Sequence, residues 1–279
     1  MKRFITKLIS FLLIFALIYF LAAEYIYSSH NYLSKQFSFS HVLDRIQRSK
    51  QKIDSDTLYI GDSVAEQLFS FYKNKNSLTI NGSVLMSGQY ILLNNIMKRN
   101  DIKHIYLIVS PLSLNQDFSD PRVFNNFIKP FYSIKYISAF DPIIFDKLNT
   151  QPFTHLFLLS GFKFLPFSDI RFPNSTEMSS ESLSAVNLIY LNKLFALAKS
   201  KNIELHFVST PVPDIYECQF DSLGQNLDST QRILAQHLIE YKKTIKYLPL
   251  SAFRDSLHLS SNSISENLDE YKSWILVQK

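Results

Sequence analysis

The chain is expected to fold as an α/β protein: a three-layer sandwich around a central, mainly parallel sheet, preceded by an N-terminal transmembrane helix. Three observations predict this. A charge-free stretch lies near the start, short β-prone runs alternate with helical periodicity after it, and one run, His104–Val109, is apolar enough for a strand covered on both faces.

Taken in order, Lys2, Arg3 and Lys7 precede residues 8–23, which carry no charge, and Glu24 is followed by Tyr25 and Tyr27. A helix over residues 4–27 is long enough to cross a hydrocarbon core, with its basic flank cytoplasmic and the remainder outside. Residues 1–28 are therefore assigned as a membrane anchor. A signal peptide cut before Glu24 competes, and it too puts the rest of the chain outside the cytoplasm, in the periplasm if the cell has one. Residues 29–55 turn polar, with Leu43, Ile46 and Ile53 in weak helical spacing, and read as a stalk or first helix.

The α/β domain is expected over residues 56–279. Residues 57–60 form a strand that stops at Gly61, and Val64, Leu68 and Phe71 give the next helix its apolar face. Leu78, Thr79 and Ile80 read as a second strand ending at Asn81-Gly82, after which Ile91, Leu92, Leu93, Ile96 and Met97 resume helical spacing. The strand His104–Val109 is closed by Ser110-Pro111. From about residue 111 to 180 the pattern breaks down. That stretch holds seven of the ten prolines and twelve of the 24 phenylalanines, and reads as an insertion. Leu188, Leu191, Phe195 and Ala198 then line a helix feeding a strand at 203–208, and a helix at 231–243 precedes a short last strand at 247–250. In such a sheet, ligands bind beyond the carboxyl ends of the strands.

Composition removes several function classes. The formal net charge is +5, but the lysines are scattered with no basic stripe interleaved with aromatics, so no nucleic-acid partner is expected. The single cysteine, Cys218, rules out an intramolecular disulfide and a cysteine metal cluster. Five glycines leave no phosphate-cradling loop, and no His-Glu-x-x-His occurs, so neither cofactor nor metal is expected. Gly-x-Ser-x-Gly is also missing, since Val64-Ala65 follow Ser63.

Two clusters carry candidate chemistry. Gly61-Asp62-Ser63 lies where the first strand turns into a helix, so unpaired N–H groups and the positive helix end favour developing negative charge near Ser63. The plain alternative is that Asp62 and Ser63 only cap the helix. Asp255-Ser256-Leu257-His258 follows the last strand and places a carboxylate three residues before an imidazole. Together they supply a nucleophile, a base and an orienting acid at matching ends of the sheet. His30, His41, His104, His155, His206 and His237 lack such a setting.

These residues resemble the SGNH (GDSL-type) hydrolase superfamily from Thr57 to about Trp274, interrupted by the insertion. The resemblance implies a flavodoxin-like fold and assigns Ser63 as nucleophile, His258 as base and Asp255 as its orienting acid. It further implies an oxyanion hole from the Ser63 and Gly88 amides, with Asn115 added from a shifted loop. The family's Gly-x-Asn-Asp block departs here, where residues 110–117 read Ser-Pro-Leu-Ser-Leu-Asn-Gln-Asp. With the anchor, this looks like the envelope branch of the superfamily. It implies a serine-dependent esterase or O-acyltransferase, for O-acetyl groups foremost, acting on an acylated cell-envelope or exported polysaccharide or another ester, with a membrane acyl-transfer protein as a candidate partner. A catalytically weak binding or scaffold component is the alternative. The Phe-rich insertion is read as a lid, an acyl-pocket wall, a membrane- or partner-facing surface, or an added piece of core.

Overall fold

A computed structural model describes residues 2–28, 40–70, 73–118, 120–148, 152–159, 163, 183–217, 219, 220, 223, 227 and 231–276. Cys218, residues 29–39 of the expected stalk, and residues 149–151, 160–162 and 164–182 of and beside the insertion lie outside them.

Helix α1, Lys2–Ser28, contains a 21-residue, largely apolar stretch, Lys2–Ala22, with no buried residues. It is long and apolar enough to cross a membrane, as an anchor or as a signal sequence. Helix α2, Ser40–Arg48, is no free stalk. Val42, Leu43 and Ile46 join the main core, and the buried Arg45 donates to Glu66 Oε1 and to the Thr79 carbonyl, both at 2.9 Å. Of the two readings, stalk or first helix, residues 40–48 take the second: they are a helix fastened to the domain.

Strands β1 (Thr57–Gly61), β2 (His104–Val109) and β3 (Glu204–Ser209) form a parallel sheet in the order β1-β2-β3. Strands β4 (Val212–Pro213) and β5 (Tyr247–Leu248) pair in parallel beyond it. The expected strand at residues 78–80 is reduced to one bridge, Tyr59 with Ser77, although the Leu78 and Ile80 amides still reach the Tyr59 and Gly61 carbonyls at 2.7 and 3.0 Å.

Side-chain alternation splits the core between the two sheet faces. Leu58, Ile60, Ile105, Leu107, Val109 and Phe207 point into the larger cluster, with helices α4 (Leu85–Ile96), α8 (Ala185–Ser200) and α9 (Arg232–Lys243). Ile108 and Val208 point the other way, into a smaller cluster with Val64, Ala65 and Leu68 of helix α3 (Ser63–Leu68) and Tyr271 and Ile275 of helix α10 (Ser261–Leu276). The described part of the insertion begins with helix α5 (Pro111–Leu114), which has proline at its first turn where no N–H partner is needed. It continues through the helical run 121–131, whose middle, Phe124–Ile128, is a π-turn, and through α6 (Pro142–Leu148) and α7 (Pro152–Leu159). Phe118, Phe124, Phe127, Phe131 and Phe140 are all buried in the larger cluster. Of the roles considered for the insertion, these residues fill that of added core.

Candidate active site

The site is assembled at the carboxyl end of β1. Gly61 is sterically required there, because a Cβ would lie 1.9 Å from the Ile108 carbonyl oxygen of the neighbouring strand. Asp62 follows in extended backbone and is buried. Its Oδ1 accepts from the Val64 and Ala65 amides at 3.0 and 3.2 Å, capping α3, while Oδ2 accepts from the Ser110 amide at 2.6 Å and the Ser113 hydroxyl at 2.7 Å. One carboxylate therefore joins the ends of β1 and β2 and fixes the first turn that carries Ser63. Among the described residues the Ser63 amide makes no hydrogen bond, so it is left at the positive end of α3.

The Ser63 hydroxyl lies 2.9 Å from His258 Nε2. The capping alternative falls to Asp62 alone. On the other side of the ring, His258 Nδ1 is 3.0 Å from each oxygen of Asp255. Asp255 Oδ1 also accepts from the His258 and Leu257 amides at 2.7 and 2.9 Å, so the acid shapes the turn as well as the ring's orientation. Burial pushes the Asp255 carboxyl up, but those two amides and the imidazole outweigh it and hold the group down at about 2. Although its side chain is 46% exposed, Asp255 is thus a carboxylate throughout the neutral range.

The turn is closed at its base by a bridge between Phe253 and Leu259, with the Arg254 amide donating to the His258 carbonyl at 2.9 Å. A residue that the motifs do not reveal ties this turn to α3. Gln67 donates through Nε2 to the Leu259 carbonyl and accepts from the Leu259 amide through Oε1, both at 3.1 Å. Ser63 and Gln67 are four residues apart and share one helix face, so a single turn of helix presents the hydroxyl to His258 and clasps its neighbour. The spacing is the only sequence signal that could have found it.

The other two oxyanion candidates fare differently. Gly88 lies inside α4 with its amide donating to the Val84 carbonyl at 3.0 Å, so that N–H is not available to an oxyanion. This corrects its assignment. A Cβ at Gly88 would press on Val84 at 3.0 Å and meet Phe127 at 3.4 Å, so its small size serves packing. Asn115 is buried at the C-terminal end of α5, and the contacts joining Ser63, His258 and Asp255 do not include it. A second buried amide, Gln89, donates to the Gly61 carbonyl at 2.8 Å and steadies the turn from below. No family model, curated protein or solved structure matches the chain, and the functional reading therefore rests on the geometry of this site.

Proposed function

We propose that the protein is a serine-dependent esterase or O-acyltransferase of the SGNH type, held at a membrane by α1 with its α/β domain outside the cytoplasm. One observation carries this: the Ser63 hydroxyl, His258 and Asp255 form a continuous hydrogen-bonded line, built from segments 192 residues apart in sequence.

In this reading, Ser63 Oγ attacks an ester carbonyl carbon while its proton passes to His258 Nε2, and Asp255 stays ionised and stabilises the imidazolium. The carbonyl oxygen becomes an oxyanion received by the free Ser63 amide at the start of α3. Collapse of the intermediate breaks the ester C–O bond, and His258 returns the proton to the departing alkoxide. Water or a glycan hydroxyl then takes the acyl group by the same steps in reverse. An exported, acylated polysaccharide is the proposed substrate class, with a short O-acyl group as the transferred unit.

The test is labelling of the detergent-solubilised chain with a fluorophosphonate, which should give an adduct on Ser63 that is absent in His258→Ala. A folded wild-type protein with no adduct would overturn the proposal. Comparing surface-glycan acylation between wild type and Ser63→Ala then separates the two reactions: fewer acyl groups in the variant mean transfer, more mean hydrolysis. A second reading, a catalytically weak glycan-binding component, is favoured by the engaged Gly88 amide, which leaves one fewer donor for the oxyanion. It requires Ser63→Ala to keep full cellular function.

A further inference from the structure

At the opposite end of the sheet from Ser63, parallel pairing brings together three side chains far apart in sequence. His104 begins β2 and lies across from Glu204, which begins β3, and His206 is two residues further along β3 on the same face. His104 Nδ1 is 3.1 Å from Glu204 Oε2, and His206 Nε2 is 3.4 Å from Glu204 Oε1. The three ligand-type atoms all lie within 4.8 Å of one another.

We propose that His104, Glu204 and His206 form a binding site for a divalent transition-metal ion of the zinc class, separate from the Ser63 site. Two ligands held about 2.1 Å from a tetrahedral zinc ion stand roughly 3.4 Å apart. The two imidazole-to-carboxylate separations, one to each oxygen of Glu204, lie near that span, so adjustment of the exposed Glu204 and His104 side-chain ends would seat an ion without moving the strands. Two imidazoles and one carboxylate are a donor set that suits zinc, whereas calcium and magnesium take oxygen ligands.

One of the three ligands is already fixed in place. His206 stacks on Tyr106 with ring centroids 4.5 Å apart and planes 17° apart, and its side chain is only 12% exposed, so the ring cannot swing freely. Glu204 and His104 are 60% and 42% exposed, which leaves the outer coordination positions open to water or to a ligand from outside. An ion held here would bridge the first residues of β2 and β3, just as Asp62 bridges the ends of β1 and β2.

The experiment is equilibrium dialysis of the metal-stripped, detergent-solubilised full chain against zinc ions at pH 7.5, with bound metal counted per chain. About one ion should bind, and His258→Ala, which removes the imidazole at the Ser63 site, should leave that number unchanged. His104→Gln and His206→Ala should each weaken uptake by more than the roughly 10- to 100-fold lost when only a ligand's hydrogen-bond partner is removed. Equal binding by wild type and the His104→Gln/Glu204→Gln double variant would overturn the proposal, as would no binding by folded wild type. If His206→Ala fails to fold, His104→Gln at the exposed start of β2 carries the test.

Discussion

The two halves of the Ser63 site are held by different means. The Ser63 half is buried architecture: Gly61 has no room for a side chain, and Asp62 accepts four hydrogen bonds, two from the start of α3, one from the end of β2 and one from the Ser113 hydroxyl of α5. The base half is a surface turn, shaped by an exposed Asp255 and attached to α3 through Gln67. The difference separates folding from alignment. Damage to the first half should cost stability, whereas damage to the second should cost rate.

Ser63→Ala gives the largest effect. Loss of a triad serine lowers kcat by as much as about 10⁶-fold, so turnover of a small ester should drop by at least about 10³-fold, with thermal unfolding unchanged. Asp62→Ala comes next. It strands the Ser110 and Ser113 donors and uncaps α3, and should destabilise the domain by roughly 3 kcal/mol or more in denaturant titration. An Asp62→Ala protein of wild-type stability would break the comparison.

Gln67→Ala should lower kcat by about 10- to 100-fold, the scale of a small misplacement, while changing stability by no more than about 1 kcal/mol. Gln67→Glu keeps an acceptor for the Leu259 amide and loses the donor to its carbonyl, so it should show a comparable loss of rate. A stability loss in either variant that matches Asp62→Ala would show the two halves to be one unit.

The smallest effect concerns pH. The Asp255 carboxyl is depressed from 3.8 to about 2, so its contribution is complete above pH 3.8 and lost as pH falls through about 2. Hydrogen exchange at the Leu257 and His258 amides, its backbone donors, should accelerate over that window relative to the intrinsic rate. Asp255→Asn should remove the transition.

What the sequence revealed follows the range of the interactions involved. The strand His104–Val109 was legible to the residue, because Ile105, Leu107, Ile108 and Val109 are buried and make an apolar run bounded by Ser110-Pro111. That Ser63, Asp255 and His258 would meet was legible because each lies in a short local cluster and both clusters follow a strand at the same end of the fold. Asp62 was legible as a helix cap, but its grip on Ser110 and that of Gln67 on Leu259 fell outside that logic, since they reach backbone groups 48 and 192 residues away, and backbone groups leave no mark in composition. Gly88 misled for a related reason. Glycine marks either backbone freedom or lack of room, and here it is the crowding of Val84 and Phe127 that asks for it. The cluster of His104, Glu204 and His206 appears only once the register of β2 on β3 is known.

The buried carboxylate beside the nucleophile also bears on how such a chain can diverge. Asparagine at position 62 would turn a donor toward a donor, glutamate is one methylene too long, and any side chain at position 61 meets the Ile108 carbonyl. Two letters of the Gly-Asp-Ser tripeptide are therefore demanded by the fold itself, whatever the third one does. Substitution at position 61 or 62 should therefore be met first as a loss of folded protein, whereas position 63, half-buried at the start of α3, can change without that cost.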